Sequence, residues 1–376
     1  MIYFDNAATT YPKPASVIRA VDDVLRNLSF NSGRGGYRQS IQASEMIYSA
    51  RECVADFFNA EPENIIFTKN CTESLNIAIK GSVKRGEHII ISSLEHNSVS
   101  RVAEKLRKDG IITYDIADFS YDDDTVINNF ENLIKNNTSL IVCTHSSNAF
   151  GVSFPIRKIG QLCKKHSLRF IVDGAQGAGV ADIDMKRDNI DILCAPGHKC
   201  LMGVMGTGIM AVSKNVMVDE LLQGGTGSGS LSLSQPDFSP DKFEAGTLNN
   251  AGIMSVKKGI DYINYHGREN IYNHELSLCR YLYNELDNIN KVSLYTPYPE
   301  YGKTMPIISF NISDYPSEKT ASLLAAKGIC TRAGYHCTPL AHKHFGTFDT
   351  GTVRLSLGVF NVKKECTSFI DVVKKL

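Results

Sequence analysis

The chain has no charge of one sign to spare: 40 Lys and Arg residues balance 40 Asp and Glu residues over 376 positions. A uniform field that would hold nucleic acid or an anionic membrane is excluded by that balance, and no direct nucleic-acid partner is expected. No apolar run approaches the roughly 18 residues of a membrane-spanning helix. The opening residues MIYFDNAATT lack the basic and apolar regions of a signal peptide, so no membrane partner is expected either. The 10 cysteines include no CxxC pair, and most sit singly in apolar runs such as LIVCTH and DILCAP. A disulfide framework is therefore not expected, and a reducing, cytoplasmic location is. Two phosphate-binding signatures are also missing. GAQGAG and GVMGTG lack the spacing of a dinucleotide fingerprint, and no P-loop Gly-Lys-Ser/Thr occurs. GGTGSGS (224–230) reads as a mobile or intersubunit loop rather than a phosphate cradle.

What is present is the composition of an ordinary globular protein, with 43% hydrophobic and 21% charged residues. The length suggests two domains. Helical and strand-like runs alternate through the first two thirds. PASVIRAVDDVLRNL and QASEMIYSARECVADFF have apolar residues at helical spacing, and NIIFT, EHIIISS, IITYDI, SLIVCTH, RFIVDGA, DILCAP and TGIMAV read as strands. Continuous apolar strands between helices indicate an α/β fold with a mostly parallel sheet covered on both faces. Beyond about residue 252 the pattern changes to a smaller α+β unit. The expected division is 13–255 for the large domain, and 1–12 with 256–376 for the small one.

In open α/β sheets ligands gather at the carboxyl ends of strands. RFIVDGAQ delivers Asp173 and Gln176 to such an end, and DILCAPGHK delivers His198 and Lys199. A single lysine there is by default a surface residue. Its functional reading is a Schiff-base lysine made nucleophilic by desolvation. Pyridoxal phosphate needs that lysine and an acid partner for its ring nitrogen, which Asp173 would supply. Asp173 alone could be a cap or turn residue; paired with Lys199 it is far more specific. NCTESLN places Cys71 and Thr72 at a strand-to-helix turn, where exposed amides suit a phosphate, or where Thr72 is simply an N-cap beside Glu73. His96, in SLEHNS, could stack on an aromatic ring or be structural.

RAGYHCTPLAHKHF (332–345) leaves three readings of Cys337 open: nucleophile, metal ligand or small buried hydrophobe. The spacing of His336, Cys337, His342 and His344 fits no common structural zinc pattern well, and no metal is expected.

YFDNAATT, CTESLN, EHNS, SSNAFG, VDGAQ, GHK, FEAGT and RAGYHC stand in the order found in cysteine desulfurases. The chain resembles that family, within the class V, fold-type I pyridoxal-phosphate enzymes, from about Tyr3 to Asn361. RxGxHC and the short loop after it look more like the SufS-type branch. The resemblance implies pyridoxal 5'-phosphate bound through Lys199, with Asp173 on the ring nitrogen and Gln176 on the phenolic oxygen. His96 would stack on the ring and shuttle protons. Thr72 and His198 would hold the phosphate beside Cys71, and Thr247 would reach the phosphate of the other subunit of a homodimer. Asn148 and Arg354 would bind the substrate carboxylate, and Arg34 and Arg332 would line the entrance. Cys337 would take sulfur from L-cysteine as a persulfide, leaving L-alanine, and pass it to an acceptor protein. Arg332 and His336 would help lower its thiol pKa, and His342 and His344 become loop or acceptor-facing residues.

Three positions depart from the family pattern. Pro196 stands where a phosphate-binding serine is common, Gly33 where SufS-type relatives often have histidine, and Cys71 where threonine is common. A selenocysteine lyase taking L-selenocysteine shares the cofactor chemistry and is the alternative. A C–S lyase without a catalytic cysteine is disfavoured by Cys337, and a non-catalytic scaffold by Lys199, Asp173 and Arg354 together.

Overall fold

The computed structural model describes residues 1–33 and 35–376. Chain order begins with β1 (Ile2–Tyr3), α1 (Ala15–Asn27), α2 (Arg38–Phe58), β2 (Ile65–Thr68) and α3 (Cys71–Ser82). There follow β3 (Glu87–Ser92), α4 (Asn97–Lys108), β4 (Ile112–Ala117), α5 (Asp123–Glu131), β5 (Thr138–Thr144) and α6 (Ile156–Lys165). The sheet strands β6 (Arg169–Asp173), β7 (Ile192–Pro196) and β8 (Gly208–Val212) come next, then α7 (Asn250–His266) and α8 (Arg268–Asp287). The remainder is β9 (Val292–Leu294), β10 (Ile307–Ile312), α9 (Ser317–Ala326), β11 (Ile329–Cys330), β12 (Arg332–Gly334), α10 (Pro339–His344), β13 (Thr352–Ser356) and α11 (Lys363–Val373).

Seven strands form one sheet in the order β2-β8-β7-β6-β5-β3-β4. Only β8 runs against its neighbours; β7, β6, β5, β3 and β4 are parallel. The fold is thus α/β with a mostly parallel sheet. Every residue of β6 after Arg169, and all of β7 and β8, is buried, as strands covered by helices on both faces must be. The parallel run matters for function, because it brings the carboxyl ends of β5, β6 and β7 to one edge.

α3 starts at that edge. Its N-cap is Asn70, whose side chain accepts the Glu73 amide at 2.9 Å, while Glu73 Oε2 accepts the Lys69 amide at 2.6 Å. Thr72 is therefore not the cap that the sequence allows for. A capping oxygen serves the amide two or three residues on, and Asn70 already does so. This leaves the Thr72 hydroxyl exposed at the strand ends.

A second, antiparallel sheet has the order β12-β13-β10-β9. Its core gathers Phe4, Leu282, Phe310, Leu355 and Phe369, with the Phe4 and Phe369 rings edge to face at 5.8 Å. β1 of the N-terminal segment pairs in parallel with β11 in a two-stranded sheet of their own, and a bridge from Asp5 to Ser356 ties the segment to β13. Helix α7 packs on α1 and α2, and its Ile253, Val256, Ile260 and Ile263 belong to the core of the seven-stranded sheet. Residue 255 lies inside this helix.

Glu275 of α8 is buried, and its carboxylate accepts no hydrogen bond from any described residue. It borders a small cavity of about 30 Å³ shared with Gln176, Cys200 and Ser356. Burial lifts its carboxyl from 4.5 to about 8. A carboxyl raised in the fold contributes its full stability below its unfolded value and loses it as pH rises through the folded one. Glu275→Gln should therefore gain stability relative to the native chain between pH 4.5 and pH 8. Urea midpoints of both proteins across that range check this; a constant difference would show that the buried carboxyl is not neutral.

Candidate functional site

A cavity of about 200 Å³ opens where β5, β6 and β7 end and α3 and α4 begin. Lys199, His198 and Pro196 reach it from β7 and the turn after it, and Asp173 and Gln176 come from β6. Cys71 and Thr72 line it from α3, His96 from the cap of α4, and Asn148 from the segment after β5. Nine of the residues singled out from sequence thus share one cleft edge, although they are spread along the chain from Cys71 to Lys199.

The Asp173 carboxylate is held from below. Its Oδ1 accepts the Ala175 amide at 2.9 Å and the Cys71 thiol at 3.5 Å. Burial pushes the Lys199 amine below its usual range, against the pull of Asp173. Desolvation disfavours an ammonium, so the free amine becomes more available as a nucleophile. Burial likewise lowers His96, and lowers His198 to about 4 with help from the charges of Lys199 and Lys13. The buried Nδ1 of His198 has no hydrogen-bond partner, so a polar group is owed to it. His96 Nδ1 accepts the Ser98 amide at 3.1 Å, which fixes the ring at the helix start. Gln176 Nε2 donates to Ala7 O at 3.1 Å.

Arg354, in β13 of the other sheet, is only 2% exposed. Its Nη1 donates to Asn148 O at 2.8 Å and its Nη2 to Asp5 Oδ1 at 2.7 Å, while its buried Nε has no partner. Burial lowers this guanidinium and Asp5 opposes the shift. Arg332 is bound by the same aspartate at 3.2 Å and is half exposed. Asp5 was not picked out from sequence as a site residue. Its signal lay in YFDNAATT, where a lone acid amid small residues gives no hint of two arginine partners.

Cys337 is exposed and borders a separate groove with Arg101, Lys105, Tyr335 and Leu340, not the 200 Å³ cavity. His336, beside it, cannot supply the positive charge expected of it. It is buried, with Nε2 3.1 Å from the Thr352 carbonyl, and burial together with Arg354 lowers it to about 2, so the ring stays neutral. His342 corrects another expectation. Far from facing an acceptor, it is fully buried, with Nδ1 2.7 Å from Thr347 Oγ1 and its ring against Phe150. His344 alone of the pair is exposed, edge-on to Phe119. Among the described residues no group of three or more His, Cys, Asp or Glu could hold a metal ion.

Thr247 lies apart from the cavity, in a cleft of about 560 Å³ with Thr226, Gly227, Arg51 and Glu244. Gly33 borders the same cleft. Arg34 lies outside the described residues.

The profile of the family described as aminotransferase class-V matches residues 2–369. A probable cysteine desulfurase of Methanothermobacter thermautotrophicus is 34% identical, over 97% of this chain and 92% of its own. A probable cysteine desulfurase of Pyrococcus abyssi is 33% identical, over 100% of this chain and 94% of its own. The apo structure of a cysteine desulfurase from Thermococcus onnurineus matches with a TM-score of 0.92 at 32% identity, covering 100% of this chain and 94% of that one. The chain belongs to the class-V aminotransferase family, among the cysteine desulfurases.

The distribution of thiols makes a direct test possible. Cys337 is exposed, whereas Cys71, Cys143, Cys194 and Cys279 are buried, with thiols pushed up by burial. Substoichiometric iodoacetamide should therefore label Cys337 first, as read by peptide mass mapping. Earlier labelling of any of the four buried thiols would contradict the geometry.

Proposed function

We propose, from the chain's membership of this family and from its own cavity, that it is a pyridoxal-phosphate-dependent cysteine desulfurase. It converts L-cysteine to L-alanine and keeps the sulfur as a persulfide on Cys337. The observation that carries this reading is the Lys199 amine, held down by burial in one cavity with Asp173 and His96.

The residues present fit the cofactor. The unpartnered His198 Nδ1, the exposed Thr72 hydroxyl and the amides at the start of α3 offer donors for a phosphate. Pro196 adds no donor, so His198 and Thr72 carry that contact. Asp173 would keep a ring nitrogen protonated, and Gln176 and Cys71 line the same cavity beside it. Bound at Lys199, pyridoxal phosphate supplies an electron sink that labilises the bond between the substrate's β-carbon and its sulfur.

The protein's own groups do the rest. Arg354 and Asn148 hold the substrate carboxylate, with Asp5 fixing the guanidinium plane. Lys199 takes the α-proton and returns it, and His96 assists at the sulfur side. The Cys337 thiolate attacks the substrate sulfur: the S–S bond forms, the C–S bond breaks, and its electron pair takes up a proton as alanine forms. Arg332, held by Asp5, lines the approach.

The same reading includes a homodimer in which Thr247 reaches the partner's phosphate. It is supported by the open cleft around Thr247 and by the exposed Leu231, Leu233 and Phe238 shortly before it in the chain. It also includes two units, 13–255 and 1–12 with 256–376, supported by the separation of the seven-stranded sheet from the four-stranded and two-stranded ones. Ten unpaired thiols suit a cytoplasmic setting, and no described helix is long and apolar enough to cross a membrane. A protein acceptor for the persulfide would meet Cys337 at its exposed groove.

Turnover tests the assignment. The native protein should show an absorbing cofactor band that Lys199→Ala abolishes. It should form alanine from L-cysteine, and Cys337→Ala should slow sulfur release by at least about tenfold. Sulfur release unchanged by Cys337→Ala would remove that residue from the reaction, and turnover of L-selenocysteine alone would make the protein a selenocysteine lyase.

A further inference from the structure

The backbone that carries Cys337 is unusual. His336 and Cys337 both have positive φ, +48° and +60°, and the Thr338 amide closes the turn onto Tyr335 O at 2.9 Å. Two consecutive left-handed residues joined by such a bond describe a primed turn, which normally needs glycine or asparagine. Side chains with a Cβ resist this conformation, so something must hold it.

Three contacts do so. Asn148 Nδ2 donates to His336 O at 2.7 Å, and the Asn97 amide donates to Cys337 O at 2.8 Å. The Thr338 hydroxyl, fully buried, donates to Glu95 O at 3.0 Å and lies 3.3 Å from Leu94 O. Thus the turn is fastened to residues 94–97, which carry His96, and to Asn148, whose own carbonyl receives Arg354. Two sides of the cofactor cavity grip the loop whose thiol borders the outer groove.

We propose that Thr338 and Asn148 are positioning residues for Cys337, clamping its strained turn so that the thiol's reach is set by the same segments that place His96 and Arg354. The inference rests on the desulfurase reading. It assigns a role to Thr338, which the proposed reaction does not otherwise use, and a second role to Asn148. Thr338→Val keeps the shape and removes the donor. Without it the Leu94 and Glu95 carbonyls lose the Thr338 hydroxyl and the turn relaxes toward ordinary φ.

The test uses the cofactor-loaded protein and Thr338→Val, Thr338→Ser and Asn148→Leu. Hydrogen exchange in the peptide spanning 335–340 should speed up by about tenfold or more in Thr338→Val and Asn148→Leu. Alanine formation by Thr338→Val should lose about tenfold in kcat, the scale of a small misplacement of a reacting atom. Its KM for L-cysteine should stay within about twofold, because the carboxylate site is untouched, and Thr338→Ser should restore kcat. Exchange as slow as in the native protein, or fast exchange with kcat intact, would overturn the clamp. A native protein without L-cysteine turnover would instead sink the desulfurase reading, and the exchange rates alone would then decide the clamp. Should Thr338→Val fail to fold, Asn148→Leu carries the exchange test.

Discussion

The site depends on one buried cation. Arg354 is almost wholly removed from water, and a guanidinium in that position is tolerated only if its donors are met. One partner, Asp5, lies 349 residues away in the chain, and the other, the Asn148 carbonyl, lies 206 residues away. Satisfying this single group therefore draws the N-terminal segment, the strand-end loop of the large sheet and a strand of the small sheet to one point. That point is the edge of the cavity. Its buried Nε has no partner among the described residues.

The surroundings of that point work mainly by desolvation. Lys199, His96, His198 and His336 are all driven toward their neutral forms by burial, and neighbouring cations push the histidines further. Neutral imidazoles and a free amine are what proton transfer and Schiff-base chemistry require. The cost of burying these groups is offset by the packed strands beneath them, since β6 and β7 are fully enclosed over their apolar residues. Cys337, by contrast, is exposed. It sits outside on a strained turn, where burial does not protect its thiol and where a partner can reach it.

Much of the large sheet is legible in the sequence, because strands such as SLIVCTH and RFIVDGA are long enough to show continuous burial. The helix through VINNFENLIKNN is shorter than its pattern suggests, ending at Glu131 before two turns close onto β5. Short elements leave no such pattern. β1, β11 and β12 have two or three residues each, and β12 carries the RAG of the cysteine motif. α10 hides within PLAHKH, where three charged or titratable residues mask a buried Ala341 and His342. His342 looked exposed for the same reason: a histidine in a polar run is indistinguishable from a core histidine until its neighbours are known.

The sequence by itself determined the alternation of strands and helices and the order of the motifs, and therefore the family, and it singled out Lys199, Asp173 and Cys337 as candidates. These follow from local periodicity and from residue types that stand close together in the chain. Only the tertiary structure decided that Asp5 serves both arginines, that Asn70 rather than Thr72 caps α3, that His336 is neutral, and that Cys337 rides a left-handed turn gripped by Thr338 and Asn148. Each of these is a hydrogen bond or a burial, not a pattern of residues. Hydrogen-bond partners and dielectric surroundings are set by which distant segments meet, and no window of the chain contains that information.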